Sequence, residues 1–407
     1  MNPLRPPAIA SRKQLSGSRL TYSPFGLASL LLALLVLGSL AGCGGSAAPP
    51  AAASPVGSAG ASAASQSAPA GGDTSQSLID GARKEGQLTL VWGENALGGS
   101  AGIPKIAAGF NKHYGLNTKV QFTPGPNFQE MGAKVTQEYQ TQRPATSDIL
   151  YVSDSALVQP IQAGALFNEP WTSWASNIKP DSVAPNGVAV VVQTYVAGIT
   201  YNTKKVMGDA IPKSMQDLLK PQYKGHIATT VYASSFDRLA TPGMWGKQAT
   251  LDYAQKFSGQ IGGLIRCPEA QTKVIDGEFD LFAIDCNQSN AMRAQSQGQP
   301  LGYVIPSDAA ILSDVYIAVP KNASHPNTAK LWVDYLLSRE AQDIVYSVDF
   351  VDSYRLPGSK SGQLIDKYKA QGVKFLLSNV QFYQDNNMQD MSQTLNQIIK
   401  IFQNKPA

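Results

Sequence analysis

The chain has 407 residues, 33 Lys and Arg against 29 Asp and Glu, three histidines and three cysteines. All the excess charge lies at the amino end: Arg5, Arg12, Lys13 and Arg19 precede position 43 with no acid among them, and without these four the chain carries 29 bases and 29 acids. That balance excludes a nucleic-acid binder and a polybasic membrane surface.

The basic start runs into an apolar stretch, FGLASLLLALLVLGSL, at residues 25–40. A basic segment followed by a short apolar one is a secretory signal, and the run falls short of the about 20 apolar residues of a spanning helix. Residues 1–42 therefore read as a signal peptide. The run ends in Leu40-Ala41-Gly42-Cys43, which resembles the lipobox of bacterial lipoproteins, and the resemblance implies lipidation of Cys43. Residues 44–72 hold no charge and no aromatic, almost only Ala, Ser, Gly and Pro. With nothing to bury, residues 43–75 behave as a flexible tether. Roughly 330 residues remain, too many for one core and enough for two lobes.

From Gln76 the elements alternate. SLIDGARKEG reads as a short helix stopped at Gly86 and QLTLVW as a strand. IPKIAAGFNKHYG reads as a helix, with Ile103, Ile106, Ala107 and Phe110 at i, i+3, i+4, i+7 and Gly115 as its C-cap. TKVQF is a strand, NFQEMGAKVTQEYQTQ a helix with Asn127 as N-cap, and DILYVS a third strand. Such alternation predicts a parallel sheet covered by helices. An extended passage follows at residues 188–206, then the strand HIATTVY, helices between Ser234 and Ser258, a β-α-β unit (GGLIRC, PEAQTKVIDGE, FDLFAIDC) and the strand LGYVIP. AAILSDVYIAVPK is a second extended passage, before one long helix from Pro326 to Tyr346. MSQTLNQIIKIFQNK closes the chain as an amphipathic helix. Two α/β blocks joined by two extended passages are the layout of two lobes that close on a ligand about a hinge.

With Cys43 lipidated, Cys267 and Cys286 are left in an oxidising compartment, which points to one disulfide. The β-α-β unit brings both strand ends to one sheet edge, where a Cα separation of about 5.5 Å is feasible. Two buried free thiols are the alternative. No His or third Cys stands at metal-ligand spacing.

Gly98-Gly99-Ser100-Ala101-Gly102 matches the G-x-S-x-G pattern of a hydrolase nucleophile. An elbow places its serine on the turn directly after a strand, whereas Ser100 lies eight residues beyond Trp92, beside the helix that Pro104 opens. That spacing fits a loop cradling an anion or capping the helix. A triad also needs a base, and neither His113, His226 nor His325 falls on a loop aimed at Ser100. A secreted serine hydrolase is the weakest reading, and an inert surface adhesin leaves the two hinge passages unexplained.

ARKEGQLTLVWG, SDILYVSD followed by LVQPIQAGAL, GITYNTKKV, IPKSMQDLLKPQYKGHIA, VIDGEFDLFAID and HPNTAKLWVDYLLSREAQ occur in order from Ala82 to Gln342. In this ordered set the chain resembles bacterial solute-binding proteins of ABC importers, with the type 2 periplasmic-binding-protein fold, in the subgroup that includes ferric-ion-binding proteins. The resemblance implies an α/β protein of two lobes, each a mainly parallel sheet flanked by helices, joined by two hinge crossovers. It implies a non-enzymatic component that captures a small polar solute and passes it to a membrane permease driven by a partner ATPase. No phosphate-binding P-loop and no cofactor motif is present here. Ferric binders of the family use a His after the first strand, a Glu after the third and a Tyr pair after the Gly-Glu strand. Asn95, Ser153 and Asn287-Gln288 stand at those positions, and neutral amides and a hydroxyl do not satisfy hard ferric iron. An iron protein with other ligands is the alternative.

Ligands in such sheets sit beyond the carboxyl ends of the strands. Those ends offer Trp92, Glu94, Asn95, Ser100, Asn127, Ser153 and Asp154 in the first lobe; Ser234, Ser235, Arg238, Asp285 and Asn287 in the second; and Tyr195 and Asp308 in the hinge passages. Helix starts at Ser100, Asn127 and Ser234 suit a phosphate, phosphonate or carboxylate; Glu94, Asp154, Asp285 and Asp308 suit an amine. The expected layout is lobe 1 at 76–190 and 310–355, lobe 2 at 191–309 and a C-terminal helical segment at 356–407, in a lipid-anchored monomer exported to the periplasmic side or outer face of the cytoplasmic membrane.

Overall fold

The computed structural model describes residues 75–94 and 96–404. The expected signal peptide, Cys43, nearly all of the tether and Asn95 lie outside the described residues.

The chain opens with α1 (Ser75–Glu85), which buries Leu78 and Ala82 and stops at Gly86 in the left-handed region. β1 (Gln87–Trp92) follows, then α2 (Gly99–Tyr114), closed by Gly115 at φ 62°. α2 begins four residues before the expected Ile103, so Pro104 lies inside it. The earlier start has a local cause: Gly98 turns left-handed at φ 85°, and the Glu94 carboxylate receives the Ser100 amide. β2 (Lys119–Pro124) pairs in parallel with β1. After α3 (Phe128–Gln140), β3 (Leu150–Ser153), α4 (Asp154–Gln162) and the short α5 (Trp171–Trp174), β4 (Val190–Val196) completes the outward half of the first lobe.

At Ala197 the chain changes sheet, six residues beyond the expected 191. The second lobe contains β5 (Gly198–Asn202), β6 (Ile227–Thr230), α6 (Phe236–Leu239), α7 (Lys247–Ser258), β7 (Ile261–Ile265), α8 (Cys267–Ile275), β8 (Leu281–Asp285), α9 (Ser289–Ser296) and β9 (Leu301–Val304). Its sheet has the order β7-β6-β8-β5-β9, with β6 parallel to both β7 and β8 and β5 antiparallel to its neighbours. Cys267 and Cys286 follow the ends of β7 and β8; β6 lies between those strands, yet the two cysteines are disulfide-bonded with Cα atoms 6.2 Å apart.

The chain returns through residues 305–310 to β10 (Ile311–Ala318), which pairs antiparallel with both β3 and β4 in the first-lobe sheet. The Ala197 amide donates to the Ile311 carbonyl at 3.0 Å, so the two crossings lie side by side. The expected helix from Pro326 to Tyr346 is two helices, α10 (Pro326–Leu336) and α11 (Arg339–Asp349). The break is a capping event: the Ser338 hydroxyl accepts the Ala341 amide and starts a new helix.

Beyond Leu356 the chain runs through α12 (Lys360–Ala370), β11 (Leu376–Ser378), α13 (Val380–Asp385) and α14 (Met388–Gln403). α12 buries Ile365 in a small cluster with Val196, Ile305, Ala310 and Leu312, on top of the hinge. β11 adds to β10, and α13 packs Val380, Phe382 and Tyr383 into the first-lobe core. α14 buries Ile398 and Phe402 among Phe236, Tyr253 and Phe257 of the second lobe. The first turn of α14 buries Met391 in the first-lobe core, so α14 is itself a third crossing.

Candidate functional site

A cavity of about 430 Å³ opens between the lobes. One wall comes from the first lobe: Glu94, Gly98 and Ala101 at the start of α2, and Ser347 to Phe350 at the end of α11. The other comes from the second lobe: Arg293 and Ser296 of α9, with Gln297. Two side chains of α9 already reach across, Ser289 Oγ donating to the Asp349 carbonyl at 2.5 Å and Arg293 Nη2 to the Val348 carbonyl at 3.0 Å.

The loop before α2 is built for close approach. A Cβ at Gly99 would collide with the Glu94 carbonyl, and Gly99 also has φ 47°, so only glycine fits there. The folded-back loop lets Glu94 accept the Ser100 hydroxyl at 2.8 Å and its amide at 3.1 Å. Asp349 does the same two residues earlier: its Oδ2 accepts the Gly98 amide at 2.8 Å and Gln193 Nε2 at 3.3 Å. Burial pushes the Asp349 carboxyl up to about 6, against the lowering effect of those donors and of Arg293. Gln193 continues inward to the Tyr151 hydroxyl, which lies 3.2 Å from that of Tyr195. The Tyr195 ring stacks on Phe128, centroids 6.5 Å apart. Arg293 has no carboxylate within ion-pairing distance among the described residues, so most of its donors are available to an occupant.

Residues 146–366 match the family described as bacterial extracellular solute-binding protein. The chain belongs to that family. It is an exported solute-binding protein. No curated protein matches the chain. Among solved structures, a substrate-binding protein of an ABC transporter from Agrobacterium tumefaciens superposes with TM-score 0.63 at 15% identity, over 79% of this chain and 96% of that one. AfuA from Actinobacillus pleuropneumoniae, solved with fructose 6-phosphate, gives 0.60 at 18%, over 78% and 99%. Iron-bound HitA from Pseudomonas aeruginosa gives 0.57 at 19%, over 77% and 99%. At these identities the likeness shows the two-lobed fold alone.

The solute-binding protein gathers few of the expected site residues at the cavity. Glu94 lines it, and Ser100 is bound to Glu94. Trp92 does not reach it: fully buried, it packs on Phe122 and Tyr151 and donates Nε1 to the Ala96 carbonyl. Asn127 is an exposed N-cap that accepts the Glu130 amide and donates to its carboxylate. Ser153 is half-buried, 3.4 Å from the Ser155 hydroxyl. Asp154 and Arg238 are paired with each other at 3.3 Å, far into the lobe contact. Asp285, the last residue of β8, is buried and bonded to Thr200 Oγ1 and to the amides of Cys286 and Asn287; burial lifts its carboxyl to about 7. Asn287 accepts the Ser289 amide, and the Ser234 hydroxyl lies 3.8 Å from Cys286 Sγ. Ser235 holds a left-handed φ of 67° and is buried. Asp308 instead caps a 3₁₀ turn within the second lobe, accepting the Met215 and Gln216 amides.

The G-x-S-x-G question is answered by the same geometry. The Ser100 hydroxyl donates to a carboxylate, while His226 pairs with Asp280, His325 with Asp148, and His113 packs edge-on against Tyr114 and tilted against Tyr335. Two residues escape the sequence reading, Arg293 and Asp349. The stretch SNAMRAQS after β8 has the spacing of a helix, and Asp349 interrupts an apolar face at Val345, Val348 and Phe350, which were the available signals.

Proposed function

We propose that this solute-binding protein is the lipid-anchored receptor of an ABC importer, that it holds a small polar organic molecule by hinge closure, and that it yields the molecule unchanged to a permease powered by a partner ATPase. The observation that carries this reading is the cavity walled by both lobes beside two adjacent chain crossings. Its volume falls in the range of small-molecule pockets, about 300–1,000 Å³. The lobes divide at Ala197 and at residues 305–310. The lipobox at Cys43 and the charge-free tether support anchorage, as a monomer, on the outer side of the membrane.

Chemistry of the lining favours an organic solute over iron. Among the described residues no three His, Cys, Asp or Glu side chains converge, whereas ferric iron favours several anionic oxygen donors. The helix-start route to an anion is narrowed too, since Glu94 and Asp349 already take up amides at the start of α2 and Asn127 caps that of α3, with Glu130 in its first turn. What faces an occupant is Arg293 opposite Glu94, a pairing suited to a molecule with both an acidic or phosphorylated group and hydroxyl or amino donors.

A thermal-shift screen on protein produced from Asp73 onward tests this, with ferric citrate, phosphate, phosphonates, carboxylates, polyamines, sugars, sugar phosphates and thiamine-like heterocycles. A ligand at 100 times its Kd adds about 2.7 kcal/mol of stability. The expected result is a shift with one organic class, lost in Arg293→Ala. A shift with ferric citrate alone, or with nothing, overturns the proposal.

A further inference from the structure

We propose that Arg238 is an interlobe latch, a second-lobe side chain seated in a first-lobe socket, and that it sets how much of the empty protein rests closed. The inference rests on the hinge-closure reading above but not on which solute is bound.

Arg238 belongs to α6, whose Phe236 and Leu239 are fully buried in the second-lobe core. Its own side chain points the other way. Nε donates to Ser378 Oγ at 2.9 Å, Nη2 approaches Asp154 Oδ1 at 3.3 Å, and the guanidinium lies over the Tyr383 ring with its carbon 5.7 Å from the centroid. All three partners are first-lobe residues, from β11, the start of α4, and α13. Asp154 is fully buried and already organised, with its Oδ2 accepting Ser378 Oγ at 2.5 Å and its Oδ1 the Ser155 amide at 2.7 Å. The socket is thus preformed in one lobe, and the second lobe supplies only the cation.

On its own lobe Arg238 has one acidic neighbour, Asp237, 3.4 Å from Nη1. Separation of the lobes leaves Arg238 with that contact and leaves Asp154 without its counter-charge. A buried carboxylate that loses its cation is strongly disfavoured unless water replaces it. The loop that delivers α6 also holds Ala233 at φ 46° and Ser235 at φ 67°, conformations that non-glycine residues adopt at a cost. Because its donors are committed to protein, Arg238 acts on a solute through the lobe equilibrium, as a positioning residue.

Nitroxide labels at Lys105→Cys in α2 and Gln295→Cys in α9 report the interlobe distance, with the native disulfide left oxidised. The parent without solute is expected to show a short-distance population. Arg238→Met should cut that population roughly tenfold or more, and Arg238→Lys, which keeps the charge but loses the planar fork and its contact with the Tyr383 ring, should fall between. Arg238→Met combined with Asp154→Asn removes the stranded charge, so it should recover thermal stability while the distance stays long. The latch is overturned if Arg238→Met lowers the melting temperature and leaves the distances unchanged. A parent distance that neither these variants nor any compound of the screen moves overturns the hinge reading, and the latch with it.

Discussion

Asp285 and Asp349 are two carboxyls that folding makes harder to ionise, held at about 7 and about 6 by burial. An unfolded Asp titrates near ~4, so between ~4 and 7 the folded state holds protons that the unfolded chain has lost. Stability contributed by these groups therefore falls as pH rises through that window, by at most about 1.4 kcal/mol per pH unit for each. Urea unfolding at about pH 5 and about pH 8 measures it, and Asp285→Asn should flatten the difference relative to the parent. An unchanged difference would mean that Asp285 is ionised at no unusual cost. These two residues also show what sequence reading misses at this scale. Asp285 is legible as a strand-end carboxylate, but whether such a group meets a solute or its own backbone depends on one turn of chain. Asp308 goes to a 3₁₀ cap for the same reason.

At the scale of elements, the disulfide joins the start of α8 to the loop between β8 and α9, across a sequence separation of 19. Closing a loop of that length removes unfolded-state entropy worth about 3 kcal/mol. Reduction with dithiothreitol should lower the unfolding free energy by about that amount, and Cys267→Ser with Cys286→Ser should reproduce the loss without reductant. The elements with a strong hydrophobic period were legible because that period survives without tertiary information: the Ile103–Phe110 repeat and the run at β4 are direct readouts of which face is buried. The misses are whole elements too short to show a period, α4, α9 and the three-residue β11 among them, and capping decisions. Ser338 sits in an apolar-periodic stretch that looks continuous, and only the fold turns its hydroxyl to the Ala341 amide. Glu94 likewise starts α2 early from six residues away.

For the whole molecule, the third crossing makes the C-terminal segment part of both cores. Ile398 and Phe402 are buried in the second lobe, and each exposed apolar side chain of this size costs about 1.5–3 kcal/mol. A chain ending at Asp385 should melt at lower temperature, with faster amide exchange in α6 and α7 and unchanged protection in β1 and β2. Equal exchange in both lobes would contradict the assignment of α14. This part of the architecture was the least legible. An amphipathic helix announces that it packs, and nothing in MSQTLNQIIKIFQNK says on which lobe.

The placement of the two ends has a practical consequence. α1 is anchored in the first core and the last turn of α14 in the second, so a handle at Ser75 and another at Asn404 grip different lobes. Tension applied between them loads the gap before either core, and a donor and acceptor dye at those positions turn opening and closing into a change of colour. The protein is wired, by the route its chain takes, as a reporter of its own occupancy.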